Sequence, residues 1–353
     1  MLTSQNFWSG KKVLLTGHTG FKGAWMGLLL NMLGAKVTGV SLPAVGSRNL
    51  YSELPKGIWS KEFFVDIRNQ EPLAKAVFAA NPELILHFAA QASVLESYRD
   101  PVLTWETNVN GTQNLLETIG KLNGPVTALF VTTDKVYRNN DEGRDFKESD
   151  PLGGIDPYSA SKAAAELVIN SYSEGIYAHR PEIRICSARA GNVIGGGDWL
   201  ENRIIPDIAR AAISREKLVV RNPDSVRPWQ HVIEPLLGYL TLLEHLSNSS
   251  GADYQRPFNF GPEPGRNHTV LDLVKSMKSY FEFDFQIESD GQLHEAKTLS
   301  LDISDAKALL SWNPLLDFES TMELTGRWYA DYVPGNGLKI TTKQLEEILS
   351  RAH

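Results

Sequence analysis

Val13-Leu14-Leu15-Thr16-Gly17-His18-Thr19-Gly20-Phe21-Lys22-Gly23 is an apolar run that leads through a glycine-rich turn into a helical pattern. The glycines permit a tight turn, close approach of the backbone to a pyrophosphate, and close contact between helix and sheet. The helix amino terminus adds unpaired N–H donors and a favourable dipole. This order of elements predicts a dinucleotide-binding site, with an ordinary strand–helix turn as the alternative. The candidate cofactor-binding residues in the turn are Gly17, His18, Gly20, Phe21 and Gly23.

Beyond the turn, short apolar runs alternate with longer helical patterns, which is typical of a parallel sheet with crossover helices. We predict strands at 12–16, 36–41, 61–65, 84–88, 126–132 and 183–189, and helices at 21–33, 70–80, 101–121 and 157–175. The expected fold is α/β: a Rossmann-type doubly wound parallel sheet with a smaller mixed α/β substrate-binding lobe. The sheet domain is predicted over 1–188, with a return segment at about 229–262, and the substrate lobe over 189–353.

The second predicted strand ends in Val40-Ser41-Leu42, without the acidic residue that often binds the ribose 2′-hydroxyl of NAD. Ser41 can form only a weak hydrogen bond there, and Arg48 could meet a 2′-phosphate. This strand alone therefore leaves the choice between NAD and NADP open.

Two further short segments are predicted to line the cofactor site. Asp66 and Ile67 follow an apolar run and are candidates to hold the adenine, with helix capping as the alternative for Asp66. Ala89 and Ala90 end the fourth predicted strand with small side chains that leave space for a cofactor, although plain packing explains them equally well.

The segment Thr132-Thr133-Asp134-Lys135-Val136-Tyr137, followed by Tyr158-x-x-x-Lys162, is predicted to form the reacting centre. Tyr158 and Lys162 share one helix face, and an ammonium group beside a phenol can move the phenol's pKa down from about 10. Tyr158 is therefore the candidate base for oxidation of an alcohol, with Thr133 steadying the substrate hydroxyl, and Tyr158 and Lys162 are also candidate cofactor-binding residues. Asp134 and Lys135 are spare acid–base groups of the kind that an elimination requires, with a surface ion pair as the alternative.

Charge and composition exclude several classes of protein. A formal net charge of −7 over 353 residues argues against nucleic acid or an anionic membrane as the main partner. Cys186 is the single cysteine, so no internal disulfide can form, which is compatible with a reducing compartment and a cytoplasmic enzyme. The amino-terminal residues show no secretory signal pattern, and we predict no metal site.

Six motifs, TGHTGFKG, HFAAQ, TNVNGT, TTDKVY, YSASK and VRPWQHV, together resemble the extended short-chain dehydrogenase/reductase family, and in particular its sugar-nucleotide 4,6-dehydratases. The resemblance covers about residues 10–315. It implies a tightly held NAD and a sequence of steps in which Tyr158 removes the proton of the hydroxyl at sugar carbon 4 while hydride passes to the cofactor. The ketone then acidifies carbon 5, water leaves from carbon 6, and the hydride returns to carbon 6.

The resemblance also implies roles for the two spare groups. Asp134 occupies the position of the acid for the departing hydroxyl. Lys135 stands where better-known members have glutamate, and this departure is the pattern of the branch that acts on CDP-D-glucose. Since an ammonium group with a pKa near 10.4 is a poor base, Lys135 either is desolvated or stabilises the enolate electrostatically. Other sugar-nucleotide enzymes of the family, acting on dTDP- or GDP-sugars or as 4-epimerases, are the alternatives.

For the substrate, Asn192, Arg203 and Arg227 match family positions that hold the nucleotide diphosphate, and Gln91 is a further substrate-binding candidate. Trp199, in a glycine-rich loop, is placed to cover a sugar or base. The predicted helices 101–121 and 157–175 carry apolar residues on more than one face, and in the family such helices pair across a two-fold axis. A homodimer is therefore expected, with packing inside one subunit as the alternative.

Overall fold

Strands whose residues are buried along almost their whole length form the centre of the molecule. The computed structural model describes residues 5–46, 48–249, 254–265, 268–288 and 298–352. Its strands are β1 Lys12–Thr16, β2 Lys36–Ser41, β3 Trp59–Phe64, β4 Leu84–His87, β5 Val126–Val131, β6 Asp145–Phe146, β7 Ile183–Ala190, β8 Val193–Ile194, β9 Leu218–Val220, β10 Val226–Arg227, β11 Gln230–His231, β12 Phe258–Phe260, β13 His268–Thr269, β14 Phe285–Ile287 and β15 Ser300–Leu301.

Helices cover both faces of this central sheet and build the smaller lobe. They are α1 Gln5–Trp8, α2 Phe21–Met32, α3 Gln70–Ala80, α4 Val94–Arg99, α5 Pro101–Trp105, α6 Gly111–Ile119, α7 Pro157–Asn170, α8 Ile204–Ser214, α9 Ile233–Asn248, α10 Val270–Met277, α11 Ser304–Leu310, α12 Phe318–Asp331 and α13 Gly337–Ala352. None of the helices within the described ranges is long and apolar enough to span a membrane.

Seven parallel strands form one sheet in the order β12-β7-β5-β4-β1-β2-β3, which confirms the predicted fold class. All six residues of β5 are buried, as expected for a parallel strand covered by helices on both faces. β1 pairs with β2 on one side and β4 on the other, so the chain reverses its direction of sheet growth there. Ligands of such sheets bind outside the carboxyl ends of the strands at this reversal.

The predicted helix 101–121 is interrupted, which is the main departure from the predicted elements. A π-helical turn, Glu106–Asn110, separates α5 from α6, and a second one, Ser171–Ile176, follows α7. The first turn buries Asn108, whose side chain accepts from the N–H of Gln91 at 2.9 Å and donates to Ser161 Oγ at 2.9 Å. An amide bridging three elements in this way accounts for the local change of helix type.

Outside the main sheet, the second half of the chain forms the two-stranded ladders β10–β13, β8–β11 and β9–β14, and its β15 pairs with β6 of the first half. Its core is continuous with that of the sheet: Trp25 of α2 donates to the carbonyl of Gly196 at 2.9 Å, and α13 packs on α2. The division into a domain over 1–188 and a lobe over 189–353 therefore stays a prediction. Cys186 is buried in this core, and burial raises the pKa of its thiol.

Candidate active site

A cleft of about 1580 Å³ lies at the carboxyl ends of the central strands and extends to the smaller lobe. It reaches from the glycine loop after β1, past the end of β5, to Arg203 and Arg227. Pockets for one small ligand usually measure about 300–1,000 Å³. The cleft therefore has room for two ligands side by side, a dinucleotide and a second molecule of similar size.

The glycine loop is packed so closely that no side chain fits at two of its positions. Gly17 has φ +74°, and a Cβ there would lie 2.7 Å from the nitrogen of Ala89. A Cβ at Gly23 would lie 2.1 Å from the carbonyl oxygen of Gly17. Gly20 is the N-cap of the twelve-residue helix α2 and provides no side-chain cap, and the residues of its first turn, Phe21 to Gly23, line the cleft. A pyrophosphate fits such a cradle.

Gly23→Ala tests the cradle. Because the carbonyl of Gly17 belongs to the backbone, it cannot move away cheaply, and we expect a loss of about 1–3 kcal/mol in unfolding free energy together with weakened NAD binding. Urea unfolding and titration calorimetry measure the two effects. Gly57→Ala is the matched control, since a Cβ at Gly57 meets nothing within 4 Å. Unchanged NAD affinity in Gly23→Ala would remove the loop from the cofactor site.

At the ribose and adenine end of the cleft, the predicted contacts are partly occupied by the protein itself. The Ser41 hydroxyl pairs with the Thr19 hydroxyl at 2.8 Å. Asp66 accepts from Arg68 Nη2 at 2.7 Å, and this pairing, with the Arg68 N–H, holds the pKa of Asp66 low. Ile67 packs against Gly111, where a Cβ would come within 2.6 Å of its Cδ1.

His18 does not line the cleft. Its imidazole is fully buried beneath Trp59 and lies 3.1 Å from Glu62 Oε1. Burial lowers its pKa, although Glu62 opposes the shift. Of the residues predicted in the loop, His18 therefore offers a cofactor only its backbone, whereas Phe21, like Ala89 and Ala90, lines the cleft wall.

Thr133 and Asp134 lie at the end of β5, at the centre of the cleft. Thr133 Oγ1 donates to Asp134 Oδ1 at 2.9 Å, and the chain then forms a 3₁₀ turn, Asp134–Val136. Asp134 is 1% exposed, and its Oδ2 has no hydrogen-bond partner among the described residues. Burial raises the pKa of this carboxyl, against the opposing effects of Lys135 and Thr133. A carboxyl with a raised pKa keeps its proton to a higher pH than usual, which suits a general acid.

Tyr158 and Lys162 lie on one buried face of α7, as their spacing predicts. The expected lowering of the phenol's pKa is wrong for the cofactor-free protein: burial raises the pKa of Tyr158 to about 12, although a hydrogen bond with Thr133 opposes this. Burial is the main cause, and the Lys162 amine that was expected to oppose it donates instead to the carbonyl of Val131 at 3.1 Å. Burial also lowers the pKa of this amine to about 8.

A buried ion pair fixes the helix that carries these two residues. Glu166 of α7 accepts from Arg189 Nη2 at 2.9 Å and Nε at 3.0 Å, from Ser187 Oγ at 2.7 Å, and from the Thr132 hydroxyl. Burial by itself would raise the pKa of Glu166, but Arg189 and the hydroxyl groups lower it. With its oxygens satisfied, the carboxylate ties α7 to β5 and β7 and so orients Tyr158.

Lys22, in the glycine loop, is a candidate that the sequence pattern did not single out. It lines the cleft, and burial lowers the pKa of its amine to about 7, with Arg203 and Lys162 adding to the shift and Asp134 opposing it. An amine that is partly neutral near pH 7 can accept a proton. The loop motif drew attention to its glycines, and nothing in the sequence places this side chain among other cations.

The predicted substrate residues lie in the half of the cleft next to the smaller lobe. Arg203 Nη1 donates to Asp198 Oδ2 at 2.9 Å, and Arg227 Nη1 donates to the carbonyl of Val226 at 2.8 Å. Asn192 has φ +45°, a strained conformation that is often found at functional sites. All three line the cleft together with Gln91.

Gln91 and Trp199 also have protein partners. The amide nitrogen of Gln91 donates to Thr104 Oγ1 at 2.7 Å, and its amide oxygen accepts from the N–H of Ser93. Trp199 packs edge-on against Tyr329, and Arg48 lies 5.4 Å above its ring. The loop after β2 and the glycine-rich loop around Trp199 therefore meet across the cleft.

Asp134→Asn is expected to stabilise the cofactor-free protein, since a buried carboxylate is costly. The pKa of this carboxyl is higher in the folded chain than in the unfolded chain, where it is about 3.9. The free energy of unfolding therefore falls as the pH rises from about 3.9 towards the folded pKa, by about 1.4 kcal/mol for each pH unit. At pH 8 the variant should therefore unfold at a higher temperature than the wild-type protein. This difference in unfolding temperature should disappear as the pH falls towards about 4. Thermal unfolding across this pH range measures the difference, with Asp331→Asn, a substitution of an exposed residue, as the control. A difference in unfolding temperature that does not vary with pH would contradict the raised pKa of Asp134.

Among the described residues, no group of three or more His, Cys, Asp or Glu side chains could hold a metal ion.

A family model described as GDP-mannose 4,6 dehydratase matches residues 14–325. The CDP-glucose 4,6-dehydratase of Salmonella typhimurium is 37% identical over 349 residues, which is 97% of both chains.

Solved structures show the same architecture. The UDP-glucose 4-epimerase of Thermus thermophilus, a complex with NAD, is 26% identical and has a TM-score of 0.76 over 91% of this chain and 99% of its own. The dTDP-glucose 4,6-dehydratase of Bacillus anthracis, also with NAD, has a TM-score of 0.74 over 90% and 96% of the two chains. At 23% identity, the latter likeness concerns the fold alone.

Proposed function

The chain belongs to the GDP-mannose 4,6-dehydratase family of extended short-chain dehydrogenases/reductases, and we propose that it converts CDP-D-glucose to CDP-4-dehydro-6-deoxy-D-glucose. It is an NAD-dependent sugar-nucleotide 4,6-dehydratase, a hydro-lyase. The observation that carries this assignment is the buried carboxyl of Asp134, with its free oxygen, beside Lys135 and Tyr158 in one cleft. Epimerisation at carbon 4 needs only oxidation, rotation of the keto sugar and reduction. It therefore does not require an acid such as Asp134.

The residues of the cleft fit a dinucleotide. Gly17, Gly20 and Gly23 would hold its pyrophosphate on the amino terminus of α2, and Ala89 and Ala90 leave room beside β4. Bound NAD supplies the hydride acceptor for carbon 4 and the hydride donor for carbon 6. Ser41 and the Asp66–Ile67 pair are proposed to border its adenosine half.

For oxidation, Tyr158 is proposed to take the proton of the carbon-4 hydroxyl while Thr133 holds that hydroxyl in place. Since burial raises the pKa of Tyr158 to about 12, the phenol needs a positive charge beside it to act near neutral pH. Lys162, one turn further along α7, is the group that can provide this charge if its amine turns from the Val131 carbonyl towards the phenol.

For elimination, Asp134 is proposed to donate its proton to the carbon-6 hydroxyl, which leaves as water. Lys135 handles the negative charge that develops when carbon 5 loses its proton. It does so either as a free amine that accepts this proton or as an ammonium group that stabilises the enolate.

Arg203, Arg227 and Asn192 are proposed to bind the two phosphates of the substrate, with Gln91 nearer the sugar. Arginine forks match phosphate oxygens, and the ion pair with Asp198 keeps Arg203 in place until a ligand arrives. Cytidine as the base is supported by the full-length similarity to the Salmonella enzyme.

A homodimer and a cytoplasmic location complete the proposal. Four apolar side chains on α4, α5 and α7 are exposed on one subunit, which supports pairing with a second copy through these helices. They are Tyr98, Val102, Trp105 and Leu167, with exposed fractions of 42, 65, 41 and 62%. The lone buried cysteine supports a reducing compartment.

The proposed function is tested by incubating the purified protein with NAD and, in separate reactions, CDP-, dTDP-, GDP- and UDP-glucose. We expect the alkaline 4-keto chromophore with CDP-glucose. Substrate deuterated at carbon 4 should carry the label to the carbon-6 methyl group of the same molecule. Activity with only the dTDP compound would overturn the cytidine assignment, and loss of the label to solvent would overturn the internal hydride return.

A further inference from the structure

Gly191, the residue after β7, lies directly against the carboxyl group of Asp134. A Cβ at position 191 would lie 1.6 Å from Asp134 Oδ2 and 2.1 Å from its Cγ. Real Cβ atoms do not approach other atoms so closely, so one of the two residues would have to move. The two lie at the ends of different strands, and nothing in their local sequence connects them.

The carboxyl group of Asp134 is held from the other side. Its Oδ1 accepts from Thr133 Oγ1, and the 3₁₀ turn that carries it is tied down by the N–H of Gly153, which donates to the carbonyl of Val136 at 2.8 Å. With 1% of Asp134 exposed, the described residues leave the carboxyl little space to swing within the protein. The cleft is the direction in which it can move.

The backbone of Gly191 is held equally firmly. Gln230 Nε2, itself buried, donates to the carbonyl of Gly191 at 3.0 Å and to the carbonyl of Phe260 at 3.0 Å. The next residues pair with β11, where Val193 is the partner of Gln230. A shift of Gly191 would therefore break the link between the ends of β7 and β12.

Space, and not backbone conformation, is what requires glycine at this position. Gly191 is not among the glycines with positive φ, so alanine could adopt its backbone angles without strain. The missing Cβ leaves a slot that the carboxyl of Asp134 fills, with Oδ2 buried there and lacking a hydrogen-bond partner among the described residues.

We infer that Gly191 is a positioning residue for dehydration: it provides the slot that lets this fold hold a carboxylic acid at position 134. A side chain at 191 would displace the acid from this slot, or demand a smaller residue at 134. This inference rests on the proposed role of Asp134, but the contact between the two residues can be tested without turnover.

The test is a double-mutant cycle of Gly191→Ala, Asp134→Ala and the two combined. In Gly191→Ala we expect water elimination to slow by about 100-fold or more, while oxidation at carbon 4 continues and reduced nicotinamide persists at about 340 nm. The same substitution in the Asp134→Ala protein should change the residual rate less than about twofold, because the clash is gone. Gly261→Ala is the matched control: Gly261 follows β12 as Gly191 follows β7, but its Cβ would meet nothing closer than 3.6 Å.

Thermal unfolding of the cofactor-free proteins gives a readout that does not depend on activity. Gly191→Ala should lower the unfolding temperature in the presence of Asp134 and leave it unchanged in the Asp134→Ala protein. If Gly191→Ala fails to fold, the double variant should fold again. Equal losses in both backgrounds, or a double variant that also fails to fold, would overturn the inference while leaving the proposed reaction intact. A starting protein that dehydrates no sugar nucleotide would sink the proposed function instead.

Discussion

Tyr158→Phe is expected to lower the turnover of CDP-D-glucose by about 10³-fold, the usual contribution of a positioned proton acceptor. The substitution removes one oxygen from a side chain that is 9% exposed, and it leaves the ring to pack against the same neighbours. Without the phenol, the carbon-4 hydroxyl keeps its proton, so no keto sugar forms and no later step can begin.

Cofactor binding separates this loss from misfolding. NAD affinity, measured by calorimetry, should remain within about twofold, because Gly17, Gly20 and Gly23 are untouched. Tyr172→Phe is the matched control, since Tyr172 follows α7, is buried, and contacts Glu117 outside the cleft. Undiminished product formation by Tyr158→Phe would refute Tyr158 as the base.

Lys135→Ala is expected to divide the reaction in two. Oxidation at carbon 4 does not use Lys135, so reduced nicotinamide should form and absorb at about 340 nm. Elimination should then stall by about 10²- to 10⁴-fold, because the variant lacks the amine that accepts the carbon-5 proton or stabilises the enolate. Stopped-flow absorbance and exchange of the carbon-5 hydrogen with deuterated solvent follow the two halves separately.

The control for this variant is Lys147→Ala, a lysine whose side chain is 66% exposed. An unchanged overall rate in Lys135→Ala would remove Lys135 from the mechanism. Slow water loss with undiminished exchange at carbon 5 would mean that another amine accepts this proton. Lys22, with a pKa of about 7, would then be the residue to replace next.

The sheet and the dinucleotide loop were predictable because their signals are local. An apolar run, closely spaced glycines and a helical pattern identify β1, the turn and α2 without knowledge of any other part of the chain. The four-residue spacing of Tyr158 and Lys162 fixes their common helix face in the same way. The interruption of the predicted helix at 106–110 was missed, because it depends on Asn108 reaching two other elements.

Site chemistry was predictable only as far as residue type decides it. The motif correctly placed Tyr158 and Lys162 side by side on α7, but it predicted the wrong direction for the pKa of the phenol. Desolvation depends on everything packed around a group, and a motif contains only its own residues. For the same reason the motif could not show that the side chain of His18 is buried beneath Trp59, which leaves only its backbone for a cofactor.

The sequence by itself determined the α/β class, the glycine-rich turn between β1 and α2, and the common helix face of Tyr158 and Lys162, since each follows from spacing along one element. Only the tertiary structure decided which of these groups are buried, paired or free to react. It brought Gly191 against Asp134 and Lys22 among the cations of the cleft. The physical reason is that hydrophobic periodicity is a property of neighbours in the chain, whereas steric exclusion and desolvation are properties of neighbours in space.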